Sequence, residues 1–286
     1  EKTSAGMSGL HFGMYKAHTL RPHLSALDAS MRSVAYTTGF SYARWKKGLD
    51  VQLLKKKQDF RADKLRTILL LEADYNMNNK ALGTDTMRIG ERHRAFSRDN
   101  YGGRKGHRAT EVALNSCLTY DSARGRRRRL IVVSNDARGC YDRIAHTVLH
   151  LAMRRLGVPR PALQSMIDTI QTMDHYIRTA FGTSRGKYGW DISLIPTQGI
   201  LQGNGSGPAG WFAISSVIIQ AMCDAGFGYS DWTVIRKIAI NLAAFAFVDD
   251  TDLIHTNPST NISTEEFIHE AQQMVSKWHG LLRYTG

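Results

Sequence analysis

Apolar residues recur at helical spacing along much of the chain. Leu24–Tyr36 is one such stretch, and Ile144–Leu156 is another, stopping at Gly157-Val158-Pro159. Pro161–Met173 predicts a further helix, and Ser206–Cys223 predicts a helix opened by glycines. Ser263 with Glu266 forms a capping box for a last helix, whose Phe267, Ala271, Met274, Val275, Trp278, Leu281 and Leu282 make one face. Other stretches read as strands. Leu130–Val133 predicts a short buried strand, and Tyr176–Phe181 with Tyr188–Ile195 predicts a hairpin. Leu242–Val248 predicts a strand, Asp249-Asp250 a turn, and Asp252–His255 a returning strand. A Lys-rich amphipathic segment, Leu49–Phe60, precedes the apolar run Ile68–Leu71. Residues 1–48 carry no pattern that assigns them a role. Strands and helices alternate without a βαβαβ rhythm, so the expected class is α+β with an antiparallel sheet.

Composition narrows the class. The 286 residues are 42% hydrophobic and 22% charged, enough to bury a core and unlike a disordered tail. Three widely spaced cysteines, Cys117, Cys140 and Cys223, form no CxxC pair, which argues against a disulfide scaffold and for a reducing, intracellular setting. No secretory or transit segment opens the chain, and no apolar run reaches the ~18 residues of a membrane span. The end at Gly286, just after a helical pattern, reads as a cut, so a fragment is expected.

Charge sharpens the picture further. Lys and Arg number 38 against 25 Asp and Glu, a net +13, but residues 1–160 carry +17 and residues 161–286 carry −4. Such asymmetry points to a polyanionic partner. Within the basic part, Arg104 and Lys105 and the run Arg126, Arg127 and Arg128 are candidates for gripping nucleic-acid phosphates, with binding that weakens steeply in salt.

Two predicted strands end in carboxylates: Asp136 closes one, and Asp249-Asp250 closes another. An ionised Asp is costly to bury unpaired. If the two strands are neighbours, three hard oxygen ligands of the kind that suit Mg²⁺ converge on one point. Two such ions ~3.5–4 Å apart stabilise the attacking and leaving oxygens of a phosphoryl displacement. Alone, Asp249-Asp250 reads more readily as a polar turn than as a metal site, since Asp is a common turn residue. The strongly apolar flanks and the second acidic strand end favour the metal reading.

These residues resemble a family. Asp136-Ala-Arg-Gly-Cys-Tyr141 resembles motif A of reverse transcriptases, an Asp followed five residues later by an aromatic. Gly199-Ile-Leu-Gln202-Gly203-Asn-Gly-Ser-Gly-Pro208 resembles motif B, and Phe247-Val248-Asp249-Asp250 resembles motif C. Arg66-Thr-Ile-Leu-Leu-Leu-Glu-Ala-Asp74-Tyr75 is similar to the fingers motif of non-LTR retrotransposon enzymes. Tyr101-Gly-Gly-Arg-Lys-Gly-His-Arg is similar to their glycine-rich basic segment. Five motifs in order over residues 60–255 make the likeness specific.

The resemblance implies a right-hand polymerase fold: an N-terminal extension over 1–48, fingers over 49–128 and a palm over 129–286, with the thumb absent. It implies an RNA-directed DNA polymerase working on an RNA template, a DNA primer and deoxynucleoside triphosphates. Asp136, Asp249 and Asp250, with Ala137, would hold two Mg²⁺ ions, for which Mn²⁺ can substitute. Ala137 and Arg138 would lie along the triphosphate, which Lys64 and Arg66 would reach from the fingers. Gln202 and Gly203 would sit against nucleotide and template. A Tyr141 ring beside the sugar would leave no room for a 2′-hydroxyl. Asp142, one residue later on an extended segment, would point the other way. The alternatives are a palm-type RNA-directed RNA polymerase or an inactive nucleic-acid-binding relic.

Three competing signals are weaker. Gly205-Ser-Gly207-Pro-Ala-Gly210 spells a dinucleotide-binding GxGxxG, but no strand precedes it and Asp224 ends the following helix. His146 and His150 share a helix face without a third zinc ligand. Cys140 has no activating base and reads as a packing residue.

Overall fold

The computed structural model describes residues 5–137, 139–189, 198–233, 235–259 and 261–286. In chain order the elements are α1 (Phe12–His18), α2 (Pro22–Thr38), β1 (Lys47–Leu54), β2 (Leu65–Leu70), α3 (Ala73–Arg92), α4 (Ala109–Gly125) and β3 (Leu130–Asp136). There follow α5 (Cys140–Arg143), α6 (His146–Arg155), α7 (Arg160–Gln171), β4 (Asp174–Thr179), β5 (Gly182–Thr183) and β6 (Tyr188–Gly189). The chain then forms α8 (Gly207–Asp224), β7 (Tyr229–Trp232), β8 (Ala239–Leu242), β9 (Ala244–Phe247), β10 (Asp250–Thr256) and α9 (Thr264–Thr285). This is a mixed fold of helices and sheets. Among the described residues, no helix is long and apolar enough to cross a membrane.

Two compact units share the chain. The first takes Glu1–Thr86 and Tyr141–Gly207, the second Met87–Cys140 and Pro208–Gly286. In the first, β2, β1, β4 and β5 form a sheet in that order, with β6 also on β4. All its pairings are antiparallel except β1 with β4, where Lys47 pairs with Asp174 and Val51 with Arg178 in parallel. The early residues prove to be part of this unit's core, because Ala35 and Trp45 are buried with Leu69, Leu71, Tyr75 and Met173. Arg44 bridges the buried carboxylates of Glu72 and Asp74, and Trp45 Nε1–H donates to Asp74 at 2.9 Å. The expected helix over Pro161–Met173 is present as α7, with Ala162, Leu163, Met166 and Ile170 buried on one face. The expected hairpin is present as β4 against β6, with Tyr188 opposite His175; its distal part falls outside the described residues.

The second unit is built on the antiparallel sheet β3-β10-β9 and the hairpin β7-β8. Tyr101, Ala123, Tyr229, Phe245 and Ile254 form its core. The capping box at Ser263 is formed in both directions: Glu266 N–H donates to Ser263 Oγ, and Ser263 N–H donates to Glu266 Oε2. Phe267, Ala271, Met274 and Trp278 are buried on the predicted face of α9, whereas Val275 is exposed.

Three expectations change. Leu130–Val133 is a strand but not a buried one: β3 is a sheet edge, and its residues are half-buried or exposed. The run Leu242–Val248 is two strands broken at Ala243, because the Asp99 carboxylate accepts both the Ala243 and Ala244 N–H groups. The turn residues are Val248-Asp249, with Asp250 already paired to Phe247 and Asp136.

Candidate active site

The second unit brings the acidic strand ends together. Strand β10 runs antiparallel to β3 with Asp250 opposite Asp136 and Asp252 opposite Ser134. Directly opposed residues project from the same face of a sheet. Asp136 and Asp250 therefore stand side by side and exposed, and Ser134 Oγ–H donates to Asp252 at 2.6 Å. The contact extends past the strands, since Ala137 N–H donates to the Asp249 carbonyl at 3.2 Å. The Ala137 carbonyl accepts from Cys140 N–H at 3.2 Å. Asp252, a third carboxylate on this face, carried no signal of its own in the sequence.

Like charges directly opposed across two strands are destabilising. A divalent cation relieves that repulsion, and exposed carboxylates with a main-chain carbonyl are the hard oxygen donors that Mg²⁺ takes. The donor chemistry thus fits the ion. Among the described residues, no three His, Cys, Asp or Glu side chains are already gathered as an ion-binding group.

The turn is strained. Val248 has φ +61°, a left-handed conformation that is an outlier for a β-branched side chain and costs on the order of 1–3 kcal/mol. Its surroundings hold it. Trp211 Nε1–H donates to the Val248 carbonyl at 2.6 Å. Residues 99–101 lie along β9: Ala246 N–H donates to Asp99 O at 2.9 Å and Tyr101 N–H to Ala246 O at 2.8 Å. Gly102 then meets the turn so closely that a Cβ there would sit 2.2 Å from Val248 N. The basic glycine segment thus does structural work at the turn. Arg104 belongs to it as well, with Nε and Nη2 on the two Glu91 oxygens at 2.5 and 2.8 Å. Lys105 is exposed.

Asp99 adds a pH dependence. Burial pushes its carboxyl from 3.8 up to about 6, against the N–H bonds from Ala243 and Ala244, which pull it down. The folded state therefore binds this proton more tightly than the unfolded chain. The resulting stability is present below about pH 4 and is lost as pH rises through about 6, on the order of 3 kcal/mol. Unfolding measured from pH 4 to 7 should show that loss in the wild type relative to Asp99→Asn, which has no carboxyl there to titrate.

The first unit gathers the other motif residues. Ile200 N–H donates to the Tyr141 carbonyl at 2.7 Å, and Gly199 N–H to Ile144 O at 2.8 Å. The Tyr141 ring lies about a van der Waals contact from Gly207, where a Cβ would be 3.6 Å away. Leu69 N–H donates to the Gln202 carbonyl at 3.0 Å, and a Cβ on Gly203 would sit 2.3 Å from Leu69 O. Asn76 completes the lacing, giving Nδ2–H to Gly203 O at 2.9 Å and taking Gly205 N–H at 2.6 Å. Lys64 and Arg66 are exposed, just before β2 and on it. Arg138 lies outside the described residues.

Two expectations about side chains need correction. Tyr141 and Asp142 lie on the helical turn α5, so strand alternation does not separate them. Asp142 instead accepts from Gln202 Nε2–H at 3.0 Å. Burial raises its carboxyl above the usual range, Gln202 lowers it, and the charge of Asp50 raises it further. The arginine run is also partly committed: Arg126 Nε pairs with the buried Asp231 carboxylate at 2.7 Å, and Arg128 Nη1–H donates to Ser230 O at 2.6 Å. Arg127 is exposed.

No family model matches the chain, and no curated protein matches it in sequence. Its fold is similar to a telomerase from Candida albicans in complex with a TWJ fragment of telomeric RNA, with a TM-score of 0.51 at 12% identity over 82% of this chain. A Candida tropicalis apo telomerase truncated from its C-terminal domain aligns at 0.47 and 13% over 87%. The chain spans 39% and 51% of those two proteins. The likeness to the Candida albicans structure is one of fold: this chain is folded like part of a telomerase.

Proposed function

We propose that the chain is the fingers and palm of a retroelement-type reverse transcriptase, adding deoxynucleotides to a primer 3′-hydroxyl on an RNA template. The observation that carries this reading is the register of β3 on β10, which sets Asp136 beside Asp250 and ties Ala137 to Asp249. The telomerase-like fold supports it, and one of those telomerases is a complex with RNA.

In this reading Asp136, Asp249 and Asp250, with the Ala137 carbonyl, would hold two Mg²⁺ ions. Bound there, the ions supply Lewis-acid stabilisation of the attacking and leaving oxygens. Lys64 and Arg66 would neutralise triphosphate charge, the role that the resemblance implies for them. Gln202 and Gly203 fix the nucleotide and template through a loop already fastened to β2 and α3. Lys105 and Arg127 meet nucleic-acid phosphates, while Arg104, Arg126 and Arg128 brace the surface that carries them.

A second reading, an RNA-directed RNA polymerase, is favoured by one observation. Asp142 is close enough to Gln202 to act with it, and a carboxylate can accept a hydrogen bond from a ribose 2′-hydroxyl. Primer extension with deoxy- and ribonucleoside triphosphates separates the two. On the first reading the wild type prefers deoxynucleotides, and Tyr141→Ala admits ribonucleotides at least tenfold better by removing the steric block. If the wild type uses ribonucleotides equally and Asp142→Ala alone abolishes that use, the second reading replaces the first.

A further inference from the structure

The hairpin of β7 and β8 includes none of the acidic strand-end residues and none of the motif residues. It carries large apolar side chains in the open: Trp232 is 60% exposed, Ile235 92% and Ile238 54%. Strand β7 alternates, with Tyr229 and Asp231 buried and Ser230 and Trp232 outward. Across the hairpin Trp232 faces Ala239 and Ser230 faces Asn241. The residue opposite the indole is thus too small to cover it.

The root of the hairpin is rigid. Asp231 is 6% exposed and accepts from Tyr229 Oη–H at 2.7 Å, Ser122 Oγ–H at 3.1 Å and Trp232 N–H at 2.7 Å. Arg126 Nε pairs with the same carboxylate at 2.7 Å, and its Nη2–H reaches Trp232 O at 3.3 Å. Arg128 holds Ser230 O from the same run. Two arginines are therefore spent on holding the strand that displays Trp232.

The surrounding charge is one-sided. Residues 124–129 and 230–238 contain seven Arg or Lys and one acid, Asp231, which Arg126 already pairs. Arg127, Arg236 and Lys237 are exposed. A bare planar ring among cations suits a nucleobase and its phosphates: stacking accepts any base, and Lys/Arg contacts release counterions. An anionic membrane would ask for a continuous apolar face, whereas Ser230 and Asn241 make this one partly polar.

We propose that the outward face of the β7–β8 hairpin binds single-stranded nucleic acid, with Trp232 stacked on a base and Arg127, Arg236 and Lys237 on the phosphates. The site needs neither metal nor nucleotide and does not rest on the polymerase reading. Fluorescence anisotropy with a labelled 12-nucleotide single strand in EDTA tests it. Trp232→Ala should weaken binding by about 5- to 150-fold, the range of one base stack. Trp232→Phe should recover most of that loss. Removing Arg236 and Lys237 together should flatten the slope of log affinity against log salt by about 1.4, roughly 0.7 per cation. Thermal melting of Trp232→Ala should match the wild type, since the side chain is largely exposed. Undiminished binding by Trp232→Ala overturns the proposal. So does Trp232-dependent sedimentation with phosphatidylserine–phosphatidylcholine vesicles alongside unchanged oligonucleotide affinity, which assigns the face to membranes. A chain that fails to extend primers yet binds in a Trp232-dependent way contradicts the polymerase reading and leaves this one standing.

Discussion

Replacing Asp136 with Asn is expected to abolish nucleotide transfer and, without metal, to make the protein more stable. The two effects have one cause. Asp136 and Asp250 are exposed carboxylates directly opposed across β3 and β10. Opposed like charges cost about 0.2–1 kcal/mol, toward the lower end at physiological salt. Removing one should raise the melting temperature in EDTA by about 1–3 °C for a chain of this size. Adding Mg²⁺ should stabilise the wild type more than the variant, because an ion that binds only the folded state shifts unfolding by mass action. Transfer should fall by at least about a thousandfold, since metal stabilisation of the transition state is worth several kcal/mol and each 1.36 kcal/mol is tenfold. Melting curves with and without Mg²⁺ check the stability half. A lower melting temperature in EDTA would mean that Asp136 anchors the fold rather than a cation.

Gly102→Ala should be among the most damaging single-methyl changes in the second unit. Its Cβ would lie 2.2 Å from Val248 N, 2.9 Å from Val248 Cγ2 and 3.0 Å from Phe247 C. Two of those atoms are backbone, so the hairpin turn itself must move. Val248 is already at φ +61° and is held by Trp211 and the 99–102 segment, so little slack remains. Overpacking of this kind costs about 1–3 kcal/mol. The melting temperature should drop by about 3–10 °C, and transfer should fall with it because Asp249 sits on the displaced turn. Gly125→Ala is the control: at the end of α4 nothing lies within 4 Å of its Cβ, and alanine favours the helix. Equal melting temperatures for the two variants would show that the close approach of Gly102 to the turn does not matter.

Much of this was legible because it is local. A 3.6-residue period found α7 and α9, and the Ser263–Glu266 box marked the start of α9 within four residues of sequence. The acidic strand ends stood out because carboxylates interrupt strongly apolar runs. What was hidden depends on distant partners. Asp99 breaks the strand at Ala243 from 144 positions away. Val248 in a turn contradicts its own backbone preference, and only Trp211 and Gly102 explain why it is tolerated. The charge of Arg126 and Arg128 read as a phosphate grip because their partners, Asp231 and the Ser230 carbonyl, lie over a hundred residues on. Asp142 was misplaced because α5 replaces the extended segment assumed there.

On the proposed reading, these carboxylates support template-directed nucleotide transfer. Single-nucleotide extension of a DNA primer on an RNA template, with Mg²⁺ and the wild type beside Asp249→Asn, tests it most directly. The wild type is expected to incorporate the complementary deoxynucleotide, and the variant at least about a thousandfold less. Incorporation by Asp249→Asn at the wild-type rate would contradict it.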